Sequence, residues 1–209
     1  PTHTLIMAAH IPKVVSAPPK KLAVYGLGQF GFAMTELFSA KHPQIPIEAY
    51  DPVADYVNAI QKTREHPVFH KGAKLGTNVL ATSNKDAPLQ GANLLLLAVP
   101  GQYFRGLVKY LAPLIAEDVI LVNVAKAVEA GTNKYLSEIA KEEMVVCKHK
   151  WWFVTISGGM IAEEVTKHWP IAADVACVDE NVAAYVADLF QTKTFKLNVT
   201  TDMLGVELA

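Results

Sequence analysis

The chain has 209 residues, 51% hydrophobic and 19% charged, with a formal net charge of −1. That composition describes an ordinary soluble globular protein and lacks the basic excess that nucleic-acid binding requires. The longest apolar runs, such as Leu94 to Pro100, are far too short to cross a bilayer.

Cys147 and Cys177 are the only cysteines, which implies neither a disulfide framework nor a cysteine metal site and suits a reducing compartment, read here as the cytoplasm. His66, His70, His149 and His168 show no paired spacing for a metal ion, and none is expected. Thr4 to His10 is apolar, but no basic stretch precedes it, so it is not read as a signal peptide. Pro12, Pro18 and Pro19 make residues 1–20 read as an extended arm. Residues 21–200 read as the main domain, and 201–209 as the start of a junction.

Leu22 to Tyr25 is a short apolar run suited to a buried strand, and Gly26, Gly28 and Gly31 follow as G-x-G-x-x-G. Phe32 to Phe38 then continues without Gly or Pro as a helix. Each glycine has a mechanical role in a dinucleotide site. Gly26 permits the tight turn, Gly28 lets backbone approach a pyrophosphate, and Gly31 lets helix pack on strand. The free N–H groups of the first helical turn would face the phosphates, aided by the helix dipole. Ile45 to Tyr50 is a second apolar run ending in Asp51, which stands about 20 residues after Gly31, where a carboxylate meeting the ribose hydroxyls of NAD is expected. Such a carboxylate accepts from a 2′-hydroxyl and repels a 2′-phosphate. Asp51-Pro52 also reads as a helix N-cap with Pro at the first helical position.

Val53 to Thr63 reads as a helix and Arg64 to Thr77 as a long loop, either functional or a solvated excursion. Asn78 to Thr82 reads as a strand and Asn84 to Gln90 as a short helix. Asn93 to Val99 is an unbroken apolar run, the mark of a central parallel strand. Helix Gln102 to Ile115, strand Asp118 to Val124 and helix Lys134 to Glu143 follow. Strand Trp151 to Ile156, with Trp151, Trp152 and Phe153 as core or interface, runs into Ser157-Gly158-Gly159. Helix Met160 to His168, strand Ile171 to Val178, helix Glu180 to Phe190 and strand Thr194 to Val199 complete the pattern. Alternating strands and helices predict an α/β fold of the Rossmann type: a doubly wound, mostly parallel sheet with helices on both faces. Ligands then sit outside the carboxyl ends of the strands, so the glycine turn, Pro100-Gly101-Gln102, Lys126 and Ser157-Gly158-Gly159 should meet on one rim. Lys126 is there either a cation for an anionic substrate or carbonyl, or an exposed surface lysine. The Ser157 turn either presents N–H groups to an anion or is a tight turn only.

Five motifs in order, GLGQFG, LLLLAVPGQYF, VNVAKAVEAGT, SGGMIAEEV and TTDMLGVELA, resemble the NAD-dependent glycerol-3-phosphate dehydrogenase family from about Lys21 to Ala209. The resemblance implies that Gly26, Leu27, Gly28, Gln29, Phe30 and Gly31 hold the pyrophosphate of NAD. It implies further that Tyr103 and Ala162 contact the cofactor and that Lys126 and Gly158 serve the substrate, Lys126 catalytically. The implied reaction is hydride transfer between NADH and dihydroxyacetone phosphate, giving sn-glycerol 3-phosphate, in a protein that is homodimeric when whole. Ala125 and Ala127 flank the lysine where the family has Thr and Gly, and Met160 stands at a serine position. The family's second lysine and helical domain lie beyond Ala209, so these residues alone are expected to bind NADH and turn over little. Leu204, Val206 and Leu208, left exposed, would promote self-association. Two other readings stay open: another NAD-dependent hydroxyacid or hydroxyacyl dehydrogenase, and a non-catalytic nucleotide-binding module.

Overall fold

The structure, a computed structural model, describes residues 12–209. Eight strands form a single sheet in the order β3-β2-β1-β4-β5-β6-β7-β8. They are β1 (Leu22–Tyr25), β2 (Ile47–Tyr50), β3 (Val79–Thr82), β4 (Leu94–Leu97), β5 (Val119–Asn123), β6 (Trp151–Ser157), β7 (Ile171–Ala176) and β8 (Phe195–Thr200). The helices are α1 (Gln29–Lys41), α2 (Ala54–Thr63), α3 (Gly101–Leu111), α4 (Leu136–Glu143), α5 (Ala162–Thr166), α6 (Glu180–Phe190) and α7 (Met203–Leu208).

Every residue of β1, β4 and β5 is buried, so both faces are covered and the strands read as apolar runs rather than as alternation. Their odd and even side chains feed two separate cores. Leu22 and Val24 join Phe32, Phe38 and Phe190 on one face. Ala23 and Tyr25 join Phe104, Leu111 and Leu136 on the other. Phe153 is buried, edge-on to Phe104 at 6.2 Å, so the aromatic start of β6 is core.

Strands β1 to β6 run parallel. β7 is antiparallel to β6, and β8 runs parallel to β7. The chain leaves β6 through Gly158, with φ +141°, and α5 lies between β6 and β7. Several elements are shorter than expected. The helix expected over 84–90 is a 3-10 turn at Ala87–Leu89, and that over 160–168 shrinks to α5. Of the expected arm, residues 1–11 lie outside the described part. Lys13–Val15 forms a 3-10 turn with Val14 in the core, and the Tyr185 hydroxyl donates to the Ala17 carbonyl at 2.8 Å. At the other end Leu204 and Leu208 are exposed, but Val206 is buried. Val206 is therefore not part of an exposed apolar face, because α7 packs against the sheet. The Glu207 carboxylate there accepts from the Ser137 N–H and hydroxyl at the start of α4.

Candidate functional site

A cleft of about 1000 Å³ opens at the carboxyl ends of the parallel strands. It is lined by Gly26, Gly28, Gln29, Phe30, Asp51, Tyr103 and Lys126 among the residues expected from the sequence. Leu27 and Gly31 are buried behind it.

The three glycines differ in what holds them. Gly26 has φ +101°, and a Cβ there would lie 2.7 Å from the Ala98 carbonyl oxygen. A Cβ on Gly31 would lie 2.0 Å from the Gly26 carbonyl oxygen. Both are demanded by turn geometry and packing. Gly28 has φ −61°, which any residue adopts, and a Cβ there would meet nothing within 4 Å. Packing does not require a glycine at this position. Its missing side chain instead leaves room in the cleft, at the N-cap of α1. That helix has neither a side-chain cap nor an acidic residue in its first turn, so its leading N–H groups suit an anion from outside the chain. By contrast the Asp179 carboxylate caps α6, accepting from the Asn181 N–H at 3.0 Å. This uncapped cradle fits a pyrophosphate.

Asp51 is buried, and both its oxygens accept backbone N–H bonds, Oδ2 from Leu27 at 2.8 Å and Oδ1 from Val53 at 2.9 Å. It thereby ties the glycine turn to the end of β2. The N-cap reading of Asp51 does not hold, because α2 begins at Ala54 with Val53 at its cap.

Lys126 leaves the end of β5 into the cleft, and its ammonium donates to the Gly158 carbonyl. The two rim turns are thus joined through Lys126. Gly158 and Ala162 themselves do not line the cleft. A Cβ on Gly158 would lie 3.1 Å from Ala173 Cα, so this glycine fits β6 against β7. Met160 is buried in the core and Ala162 opens α5. Ala127 has room because Gly101 lacks a Cβ, which would otherwise lie 2.3 Å from that of Ala127.

The loop over 64–77 is fastened to the back of the glycine turn. His66 Nδ1 accepts from the Val68 and Phe69 N–H groups, both at 3.1 Å. Burial holds the His66 imidazole below its usual pKa, in keeping with an acceptor nitrogen. His70 Nε2 donates to the Gln29 carbonyl at 2.7 Å, and its Nδ1 lies 3.2 Å from the Thr166 hydroxyl. The proton on Nε2 follows from the carbonyl, which can only accept. The described residues contain no group of three or more His, Cys, Asp or Glu that could hold a metal ion. No helix among them is long and apolar enough to cross a membrane.

Tyr50, Tyr56 and Lys85 also line the cleft and were not anticipated. Lys85 could have been found by the rule that placed Lys126, since it follows the carboxyl end of β3.

Residues 21–183 match the family described as NAD-dependent glycerol-3-phosphate dehydrogenase N-terminus. A glycerol-3-phosphate dehydrogenase [NAD(P)+] of Clostridium perfringens is 34% identical over 190 residues, covering 90% of this chain and 55% of its own length. One from Syntrophomonas wolfei is 31% identical over 188 residues, covering 90% and 54%. The chain spans about half the length of the curated relatives it matches. A crystal structure of glycerol-3-phosphate dehydrogenase from Coxiella burnetii superposes with a TM-score of 0.81 at 23% identity, covering 90% of this chain and 56% of that one. That likeness supports the doubly wound fold.

Proposed function

Because the chain belongs to the NAD-dependent glycerol-3-phosphate dehydrogenase family, through its N-terminal part, we propose that its cleft holds NADH for reduction of dihydroxyacetone phosphate to sn-glycerol 3-phosphate. The observation that carries this reading is Gly28, a glycine with no packing reason, at an uncapped helix N-terminus inside the cleft. The bound nicotinamide supplies the hydride. The chain's own residues bind and orient. Gly26, Gly28 and Gly31, with the backbone of Leu27, Gln29 and Phe30, hold the pyrophosphate. Asp51 receives the ribose, and the exposed Tyr103 ring covers the cofactor. The expected cofactor contact at Ala162 is not part of this reading, because Ala162 lies outside the cleft lining.

Lys126 is the substrate cation. It has no carboxylate partner among the described residues, and its ammonium is held by a neutral carbonyl at Gly158. Its charge is therefore free to attract a phosphate or to stabilise a developing alkoxide. Gly158 orients that lysine. A cytoplasmic location follows from the cysteine usage, and a homodimer of the whole protein from the resemblance alone.

The test is a titration of the NADH-loaded chain, followed by nicotinamide fluorescence. Dihydroxyacetone phosphate should perturb the signal saturably, while dihydroxyacetone and simple hydroxy acids should not, and Lys126→Ala should abolish the response. A stronger response to a hydroxy acid without phosphate would replace this substrate assignment by that of another dehydrogenase.

A further inference from the structure

The helix N-terminus at the cleft is supported from behind by a distant part of the chain. α1 has no side-chain cap, and its first intrahelical bond runs from the Phe32 N–H to the Gly28 carbonyl at 2.9 Å. The Phe30 N–H therefore stands ahead of the helical ladder, and Phe30 lines the cleft. That N–H shares one planar peptide unit with the Gln29 carbonyl. Whatever holds the carbonyl also sets the direction of the N–H.

His70 holds it. Its Nε2 donates to the Gln29 carbonyl at 2.7 Å, across 41 positions of sequence. Two other elements fix the ring. Its Nδ1 lies 3.2 Å from the Thr166 hydroxyl on α5. Its face stacks on Phe32 of α1, with centroids 6.0 Å apart and planes 16° from parallel. The loop that delivers it is folded by His66, whose Nδ1 accepts from the Val68 and Phe69 N–H groups. His70 itself has φ +54°, a left-handed conformation that is costly for a residue with a Cβ and cheaper for glycine. The backbone therefore does not ask for histidine here; the bonds of the ring do.

Resting on the dinucleotide reading above, we propose that His70 is a positioning residue for the pyrophosphate, aiming and polarising the Phe30 N–H through the peptide that joins Gln29 to Phe30. A hydrogen bond received by a carbonyl draws charge through the amide and strengthens the donor at its other end. The rigid plane fixes the angle of that donor before any ligand arrives, so less ordering remains for binding. The gain is directed at an anion on the α1 cradle. A ligand that reaches the cleft without a phosphate does not meet the Phe30 N–H as an acceptor and does not share in it.

The test compares the unmodified chain with His70→Gly and His70→Gln. NADH affinity is read by nicotinamide fluorescence, and ADP-ribose and adenosine are measured by competition against bound NADH. Glycine removes the ring while suiting the positive φ, so the loop keeps its backbone shape. Glutamine returns an N–H donor within reach of the same carbonyl. His70→Gly should lower the affinities for NADH and ADP-ribose about fivefold, as the loss of one hydrogen bond gives, and leave that for adenosine unchanged. His70→Gln should recover most of the loss. A role in stability alone would move all three ligands together. Unchanged ADP-ribose affinity in His70→Gly, an equal loss for adenosine, or no recovery in His70→Gln would each overturn this inference alone. Failure of the unmodified chain to bind NADH would overturn the dinucleotide reading and this inference with it.

Discussion

Two turns on the same rim are both written as a strand, glycines and a helix, and they are built for different ends. After β1, the turn leads straight into a helix of 13 residues whose N-cap is Gly28, and the space above that residue is open. After β6, Gly158 is pressed against Ala173, its carbonyl is taken by Lys126, and the helix that follows has five residues. The first turn presents unsatisfied donors to a cleft. The second uses its glycine to fit β6 against β7 and its carbonyl to hold a side chain in place. A glycine motif thus becomes evidence for a ligand only where packing does not already explain the glycine.

Substitutions that add a Cβ sharpen this contrast. The largest effect is expected at Gly31, where the new atom would strike the Gly26 carbonyl. Gly31→Ala should cost about 3 kcal/mol or more in urea unfolding, and a loss below 1 kcal/mol would mean that the α1–β1 packing is looser than described. Gly158→Ala combines the +141° φ with the Ala173 contact and should cost about 1–3 kcal/mol. The same variant should weaken any ligand held by Lys126, because the carbonyl it donates to would move. Gly101→Ala should cost about 1–2 kcal/mol by overpacking. Pairing it with Ala127→Gly should return most of that loss, a coupling that a double-mutant cycle reads directly. Simple additivity would show that the two Cβ positions do not compete.

Much of this was legible before the fold was known. Continuous apolar runs marked β1, β4 and β5 because those strands are covered on both faces, and the glycine spacing marked the cradle. The direction of β7 was not legible. The one-turn helix before it carries no sign of which way the next strand runs, and β7 still shows strand-like burial. Asp51 was legible as a residue of the rim, and it lines the cleft, but not as a partner of the Leu27 N–H, a contact between residues just past the ends of neighbouring strands. Lys85 was overlooked because the residues after β3 read as a short helix, although a lysine just past the carboxyl end of a strand, like Lys126, was the pattern to look for.

The smallest expected effect concerns the loop behind the cradle. His66 accepts two N–H bonds that only the neutral ring can receive, and burial depresses its pKa. The sign follows from linkage: the unfolded ring, near 6.5, takes up a proton before the folded one does. The contribution of His66 is therefore complete above about pH 6.5 and falls away as the pH drops through the lower folded value. Amide exchange at Val68 and Phe69, corrected for intrinsic rates, should speed up on acidification. His66→Asn, which keeps an acceptor without an ionisable ring, should flatten that dependence. An unchanged pH profile in the variant would show that another group controls the loop.

The most direct test of the account is an NADH titration of the unmodified chain and of Gly28→Ala, followed by nicotinamide fluorescence. The account predicts saturable binding in the unmodified chain and at least about a tenfold loss in the variant, since a Cβ would enter the space of the pyrophosphate. The melting temperature should stay within about 4 °C, because only a helix cap changes. Equal binding by both proteins, or none by the unmodified chain, would contradict the claim that this cleft is a dinucleotide site.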